Sequence, residues 1–442
     1  MIKPEPTFPI EFKKRITTDY PFAETLLNSL NSTPPISIRL HPEKNLSQFK
    51  IQSKISWSKN GVYLMERPHY TLDPNFHGGA YYPQEAASMY LACILDSIEL
   101  NEEPIVLDAC ASPGGKTSII AEKLNNNGVI ISNEIIKSRA HTLVETVTKW
   151  GYYNQIITSN DTKSFRKIDL KFDVIVVDAP CSGEGMFRKD FKARKEWSVD
   201  NCNICVERQN EILNNLIPCL NDGGYLVYST CTFNPAENED LLCAILEKFD
   251  LEICKMPQFP GMTKDKEDIG QYFFPGFTES EGFYCAVLKK KGFQKKYYVK
   301  HSTLNTISPP KFISKNPLEI QFFQNENTIY ATNTSTNLIS KILKENLFVL
   351  KSGVTISQVF GKKNVPQIDL ALTPFLKSDF EQIKLNKELS LRYLKGETFG
   401  LASTPGFKEL LFDEIPLGFI NHLGNRFNNL YPKEWRIKMK ID

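Results

Sequence analysis

The sequence predicts an α/β fold in which a mostly parallel sheet carries helices on both faces. A small N-terminal α+β region precedes it and a β-rich C-terminal module follows. Three observations predict this. Apolar strands alternate with helical stretches between Ile105 and Ser229, polar or glycine-rich turns follow the strands at one end, and 442 residues exceed what one hydrophobic core usually supports.

The first block, residues 1–76, has a helical pattern over Pro21–Leu30 and an extended piece over Ser37–Leu40, interrupted by Pro34, Pro35 and Pro42. The second, 77–290, gives strands at Ile105–Asp108, Gly128–Asn133, Gln155–Thr158, Phe172–Asp178 and Gly224–Ser229. Between them lie a helix from about Lys116, one running through Lys149, and a long one near Glu207–Cys219. Ser, Thr, Pro and Lys then accumulate, which suits a linker over 291–316. The last block, 317–442, reads as short strands punctuated by turns, the strongest turn cluster being His422–Asn429.

Composition narrows the classes of function. No apolar run reaches the length that spans a bilayer, and Met1–Glu11 carries too many prolines and charges for a signal peptide, so a soluble cytoplasmic protein is expected. All ten cysteines lie between Cys93 and Cys285, in an ordinary enzyme-like region, which predicts reduced thiols rather than a disulfide scaffold. The net charge of +2 conceals an asymmetry: residues 291–442 hold 22 Lys and Arg against 13 Asp and Glu, whereas the rest is acidic. A cationic end suits an anionic partner such as nucleic acid, and equally a solvated lysine-rich surface.

The strand Ile105–Asp108 leads into Ala109-Cys110-Ala111-Ser112-Pro113-Gly114-Gly115-Lys116-Thr117 and then a helix. Ligands of open α/β sheets bind beyond the carboxyl ends of the strands, where glycines allow close approach of the backbone. A P-loop would need Gly where Cys110 stands, which excludes a triphosphate cradle. One strand later Asn133-Glu134 places a carboxylate where it can hold both hydroxyls of a ribose. Asp161 follows the next strand, either meeting an adenine or capping a turn.

Two further strands end in Asp178-Ala179-Pro180-Cys181-Ser182-Gly183-Glu184-Gly185 and Ser229-Thr230-Cys231-Thr232. A single buried cysteine is usually a small hydrophobe. Two at the ligand-binding edge, one behind an Asp-x-Pro turn, point to chemistry, although spacing does not tell their roles apart.

These motifs, together with Asn234, Glu237 and Asn238, resemble those of the NOL1/NOP2/Sun family of RNA 5-methylcytosine methyltransferases. Within it, Met186-Phe187-Arg188-Lys189-Asp190, Trp197-Ser198, His77–Ala86, Ile415–Phe419 and Leu423–Pro432 resemble the bacterial branch acting on 16S ribosomal RNA, the methyltransferase F type. The resemblance implies a Rossmann-like class I methyltransferase with a PUA-like C-terminal RNA-binding region, an accessory or RNA-binding N-terminal domain, and S-adenosyl-L-methionine as cofactor. It implies Cys231 as nucleophile and Cys181 as the group that helps release product, with Asp178 and Lys116 beside them. It puts the cofactor against Cys110, Ala111, Ser112, Pro113, Gly114, Gly115, Lys116, Glu134, Arg139, Asp161 and Asp178.

The chemistry explains the demand for a cysteine. Carbon 5 of cytosine is too weak a nucleophile to take a methyl group from a sulfonium, and a thiolate adding at carbon 6 makes it enamine-like. Arg188 and Lys189, close behind the catalytic turn, and Arg426 in the C-terminal turn cluster are expected at RNA phosphates. Cys202-x-x-Cys205 has zinc spacing but is one pair where four ligands are needed, so no metal is expected. The expected assembly is a monomer that binds RNA and no membrane. Alternatives are a transfer-RNA cytosine-5 methyltransferase and a non-catalytic ribosome-assembly factor.

Overall fold

The strands Ile105–Asp108, Val129–Asn133, Gln155–Thr158, Phe172–Asp178 and Leu220–Thr230 are buried along almost their whole length, as strands covered on both faces must be. Val106, Ile130, Val174 and Val176 face one side, against the helices Tyr90–Ser97 and Gly115–Leu124. Leu107, Ile131, Ile175 and Val177 face the other, against the helix Val199–Leu216. The computed structural model describes residues 7–46, 48–293 and 305–439.

These five strands are parallel and in register, so that Asp108 lies opposite Ser132 and Val176, and Asp178 opposite Ser229. Their carboxyl ends therefore share one edge. Antiparallel strands Phe283–Lys290, Gly270–Phe273 and Met262–Lys264 extend the sheet beyond Leu220–Thr230, and Leu251–Ile253 pairs with Phe283–Lys290.

At the opposite edge the sheet recruits a strand from far along the chain. Val349–Ser352 pairs antiparallel with Gln155–Thr158, and the preceding helix Thr334–Lys344 sends Ile339 and Leu343 into the main core. The segment 291–316, expected as linker, carries the short strands Thr306–Ile307 and Ile313–Lys315, while 294–304 lie outside the described residues. Thr306–Ile307 belongs to a five-stranded antiparallel sheet with Gln321–Asn325, Thr328–Thr332, Val354–Phe360 and Lys363–Pro366. A final four-stranded sheet spans Glu381–Lys384, Gly406–Phe412, Ile415–His422 and Phe427–Asn429; of the expected turn cluster His422–Asn429 only the middle, 423–426, is turn, and its two ends belong to the paired strands.

The N-terminal region is an antiparallel sheet in the order Ile51–Lys54, Gly61–Leu64, Ser37–Leu40, Tyr81–Pro83. Its closing strand thus lies past residue 76, where the first block was expected to end. Two helices, Ile10–Asp19 and Ala23–Ser29, stand apart from this sheet and pack on the central domain. Phe12 and Ile16, one turn apart, are fully buried, with the Phe12 ring 4.9 Å from Phe187 and 5.8 Å from Trp197. The helix Val199–Leu216 starts well before Glu207 because Ser198 caps it, its hydroxyl accepting from the Asn201 N–H.

Candidate active site

The two cysteines expected to act are brought into contact. Cys181 and Cys231 follow adjacent parallel strands, and their Sγ atoms stand 3.1 Å apart, both half-buried. The Cys231 N–H also points at the Cys181 Sγ. The side-chain contact with the Cys231 sulfur, more than burial, pushes the Cys181 thiol well above its ordinary pKa, and the Cys231 N–H opposes that rise.

Beside them Lys116 Nζ lies 2.9 Å from Asp178 Oδ1, which also accepts from the Ser229 hydroxyl at 2.8 Å. Burial opposes the Lys116 charge, but Asp178, then Asp108 and Cys231, hold its pKa above the usual value. Lys116 is therefore a fixed ammonium within electrostatic reach of the Cys231 sulfur. Asp108, fully buried at the head of the same loop, accepts from Thr117 Oγ1 at 2.6 Å and is pushed up to about 7, chiefly by burial.

A web of polar contacts fixes the two cysteine loops. Ser182 Oγ and Thr232 Oγ1 stand 2.8 Å apart, bridging them directly. Glu237 Oε2 accepts from the Ser182 N–H and from Gln209, while Glu237 Oε1 accepts from Asn234. Asn238 accepts from Thr230 and donates to the Thr232 carbonyl. Gly185 is needed for close approach: a Cβ there would lie 2.4 Å from the Gly282 carbonyl oxygen, and its own N–H donates to the Cys231 carbonyl.

The loop residues Cys110–Pro113, Gly115 and Lys116, with Asp178, line an open cavity of about 190 Å³ whose other wall includes Tyr82, Gln84 and Glu85 of the N-terminal region. Gly114, with φ of 109°, turns the loop into its helix in a conformation that favours glycine. Glu134 is 4% exposed; Oε1 accepts from the Ile136 N–H, and Oε2 faces Arg139 at 3.6 Å. Arg139 and Ser112 exchange hydrogen bonds with each other's carbonyl oxygens, so the two walls of the site brace one another. Asp161 caps the turn Thr162–Lys167 by accepting from Lys163, whose N–H holds its carboxyl below the ordinary range.

The structure corrects one expected RNA contact. Arg188 is buried, with Nε 2.7 Å from Glu281 and Nη2 donating to the Ser280 carbonyl, because a buried carboxylate 93 positions away claims it. Lys189 is exposed at the loop surface, 3.7 Å from the same carboxylate, and Arg426 is exposed in its hairpin turn. Arg188→Ala is thus expected to cost about 3–5 kcal/mol of stability by stranding Glu281, measured by urea unfolding. RNA affinity of the folded fraction should stay unchanged.

Two arginines were not anticipated. Arg39, 1% exposed, donates to Gln84 Oε1 at 2.8 Å, bonds Ser118, pairs with Glu122 and stacks on Trp150. It locks the N-terminal sheet to the helix that carries Lys116. Arg15 reaches from the helix Ile10–Asp19 to Glu184 at 2.6 Å and to the Phe233 carbonyl at 3.2 Å, touching both cysteine segments. No local pattern marks either residue, since each acts on partners remote in sequence.

A Rossmann-like sheet with a cofactor-type loop and a cysteine pair at its carboxyl edge defines a methyltransferase of the class I architecture. Family profiles match the chain over 95–289 (16S rRNA methyltransferase RsmB/F), 8–86 (N-terminal domain of 16S rRNA methyltransferase RsmF) and 380–437 (methyltransferase RsmF PUA domain). The "Ribosomal RNA small subunit methyltransferase F" of Psychromonas ingrahamii is 30% identical, over 91% of this chain and 89% of that one. A methyltransferase homolog protein from Pyrococcus horikoshii is 27% identical with a TM-score of 0.56, covering 64% of this chain and 95% of that one. NSun6 from the same organism, solved with SFG, shares the fold: TM-score 0.57 at 20% identity, over 65% of this chain and 99% of that one. The chain belongs to the RsmB/F family of 16S rRNA methyltransferases.

Proposed function

We propose that the protein methylates carbon 5 of a cytosine in 16S ribosomal RNA, taking the methyl group from S-adenosyl-L-methionine and attacking the base through Cys231. The observation that carries this reading is the thiol pair at 3.1 Å, set beside the Lys116–Asp178 ion pair at the mouth of the cofactor-type cavity.

The residues present fit that cofactor. The cavity is lined by the glycine loop, and the cation in its lining, Lys116, is already paired with Asp178, while Glu134 holds a buried carboxylate oxygen for ribose hydroxyls one strand away. Cys110, Ala111, Ser112, Pro113, Gly114 and Gly115 would hold the amino-acid end, Glu134 and Arg139 the ribose side, and Asp161 the adenine. When bound, the cofactor supplies an electrophilic methyl group.

The chain's own residues then do the following. The Cys231 thiolate adds to carbon 6, forming a C–S bond and pushing the ring electrons toward carbon 5. Asp178, held by Lys116 and Ser229, binds the ring near nitrogen 3 and steadies the adduct, and Lys116 stabilises the negative charge that the thiolate brings. Carbon 5 takes the methyl group; a base removes its proton, the C–S bond breaks, and Cys231 leaves as thiolate. Cys181 is the neighbouring side chain placed to serve that elimination.

Bisulfite mapping of 16S and transfer RNA from cells with and without the gene tests the reading. A cytosine in 16S RNA that resists conversion only when the gene is present is expected; a change confined to transfer RNA moves the substrate there. Glu134→Ala should weaken cofactor binding by about 1.5–3 kcal/mol in calorimetry, because two hydroxyls lose a charged acceptor. Unchanged affinity removes Glu134 from the site.

The RNA-binding face is expected to include the PUA-like module with Arg426 and the exposed Lys189. Deleting the cationic C-terminal region, 291–442, is not a clean test of this, since Val349–Ser352 and Ile339 belong to the central sheet and core. Point changes at exposed cations are.

A further inference from the structure

The N-terminal sheet and the PUA-like module are packed against each other. Ile415 lies in the same apolar cluster as Ile38, Val62, Leu64 and Tyr81, and a Cβ on Gly78 would lie 2.4 Å from the Ile415 side chain. Where the two surfaces diverge they leave a cleft of about 510 Å³ that the catalytic site does not use. Its floor is apolar, with Phe49, Leu64, Leu72 and Phe412, and its rim carries Lys50, Arg67, His69 and Lys387.

The carboxylates in the cleft are already engaged. Glu66 pairs with Lys50 at 3.2 Å. Asp73 caps the turn Pro74–His77 and accepts from Gln48 and the Tyr81 hydroxyl, each at 2.8 Å. Arg67 and Lys387 are exposed, one on each wall, and no carboxylate pairs with either among the described residues. The cleft thus presents half-buried aromatic rings between two available cations. That combination suits a flexible polyanion with flat apolar groups, namely single-stranded RNA, whose phosphates take the cations and whose bases stack on the rings. The cleft and the cofactor cavity share one strand: Tyr81 donates to Asp73 on the cleft side, and Tyr82, next along and facing the other way, lines the cofactor cavity.

We infer that this cleft between the N-terminal sheet and the PUA-like module is a second RNA site, taking an unpaired segment of the substrate RNA outside the target nucleotide. The inference rests on the RNA reading above. It assigns Arg67 and Lys387 to phosphates, and Phe49 and Phe412 to bases.

The test uses full-length protein with two probes, small subunits from cells lacking the gene and the 16S RNA extracted from them. Arg67→Glu and Lys387→Glu, both at exposed positions, should each weaken binding about five- to tenfold at moderate salt and flatten the salt dependence by about one phosphate's worth. The KM for RNA should rise by a similar factor, with kcat at saturating RNA and cofactor affinity unchanged. Lys264→Glu with Lys291→Glu, at exposed lysines of the methyltransferase sheet, controls for overall charge and should change binding less than twofold. Unaltered affinity and salt slope in the cleft variants, or an equal loss in the control, overturns the cleft as a site. Wild-type protein that neither binds nor methylates either probe overturns the underlying RNA reading, and the cleft with it.

Discussion

Cys181→Ala, mixed with substrate RNA and S-adenosyl-L-methionine, is expected to accumulate a protein–RNA adduct that survives denaturant, and Cys231→Ala to form none. The two sulfurs are neighbours at 3.1 Å, yet they act at opposite ends of one covalent cycle. Removing Cys231 removes the nucleophile, so neither adduct nor product forms and turnover falls below detection. Removing Cys181 leaves attack and methyl transfer possible and stalls elimination, so RNA stays bound through carbon 6. A gel that shows the band with Cys231→Ala and not with Cys181→Ala exchanges the roles. Full turnover in both variants removes covalent catalysis from this site.

Lys116→Met should act on the same cycle from the side. Without the ammonium, Asp178 loses its partner at 2.9 Å and the Cys231 thiolate loses the cation within reach. The rate of adduct formation in single-turnover experiments should fall about 100-fold or more, as expected when a preorganised charge is removed from a site of this kind.

What the sequence disclosed follows a physical line. Gln155–Thr158 and Phe172–Asp178 were legible to the residue because a strand buried on both faces must be a short apolar run with polar ends. The cysteine loops were legible because the chemistry demands particular residue types at strand ends. Val349–Ser352 was not: its four residues are only half-buried, and pairing with Gln155–Thr158 is decided by distant packing. The helix Ile10–Asp19 is mostly charged and polar, and its fully buried Phe12 finds its ring partners at Phe187 and Trp197. Arg188 illustrates the same limit at the site, since an arginine behind a catalytic turn reads as a phosphate ligand until Glu281 is placed beside it.

The N-terminal helix leads to the last expected result, that Arg15→Met damages the chemistry from more than 160 positions away in sequence. Glu184 is fully buried three residues after Cys181, where Oε2 accepts from Arg15 and the Phe233 N–H and Oε1 from Trp197. Phe233 lies two residues after Cys231, and its carbonyl accepts from both Arg15 and the Tyr20 hydroxyl. One guanidinium thus ties both cysteine-bearing segments to one helix. Removing one partner of a buried ion pair costs about 3–5 kcal/mol, and the partial exposure of Arg15 puts this one toward the lower figure. The remaining donors to Glu184 should keep the protein folded at low temperature, so catalysis can be measured separately from stability. A merely structural role lowers the unfolding midpoint and leaves kcat of the folded protein intact. A positioning role, the result expected here, lowers kcat about tenfold or more with the KM for RNA and cofactor little changed, because a small displacement of the thiol pair weakens attack without weakening binding. Arg15→Lys, which restores the charge without the fork, should recover part of the stability and little of the rate. Wild-type kcat in Arg15→Met removes the helix from the chemistry and leaves it a brace.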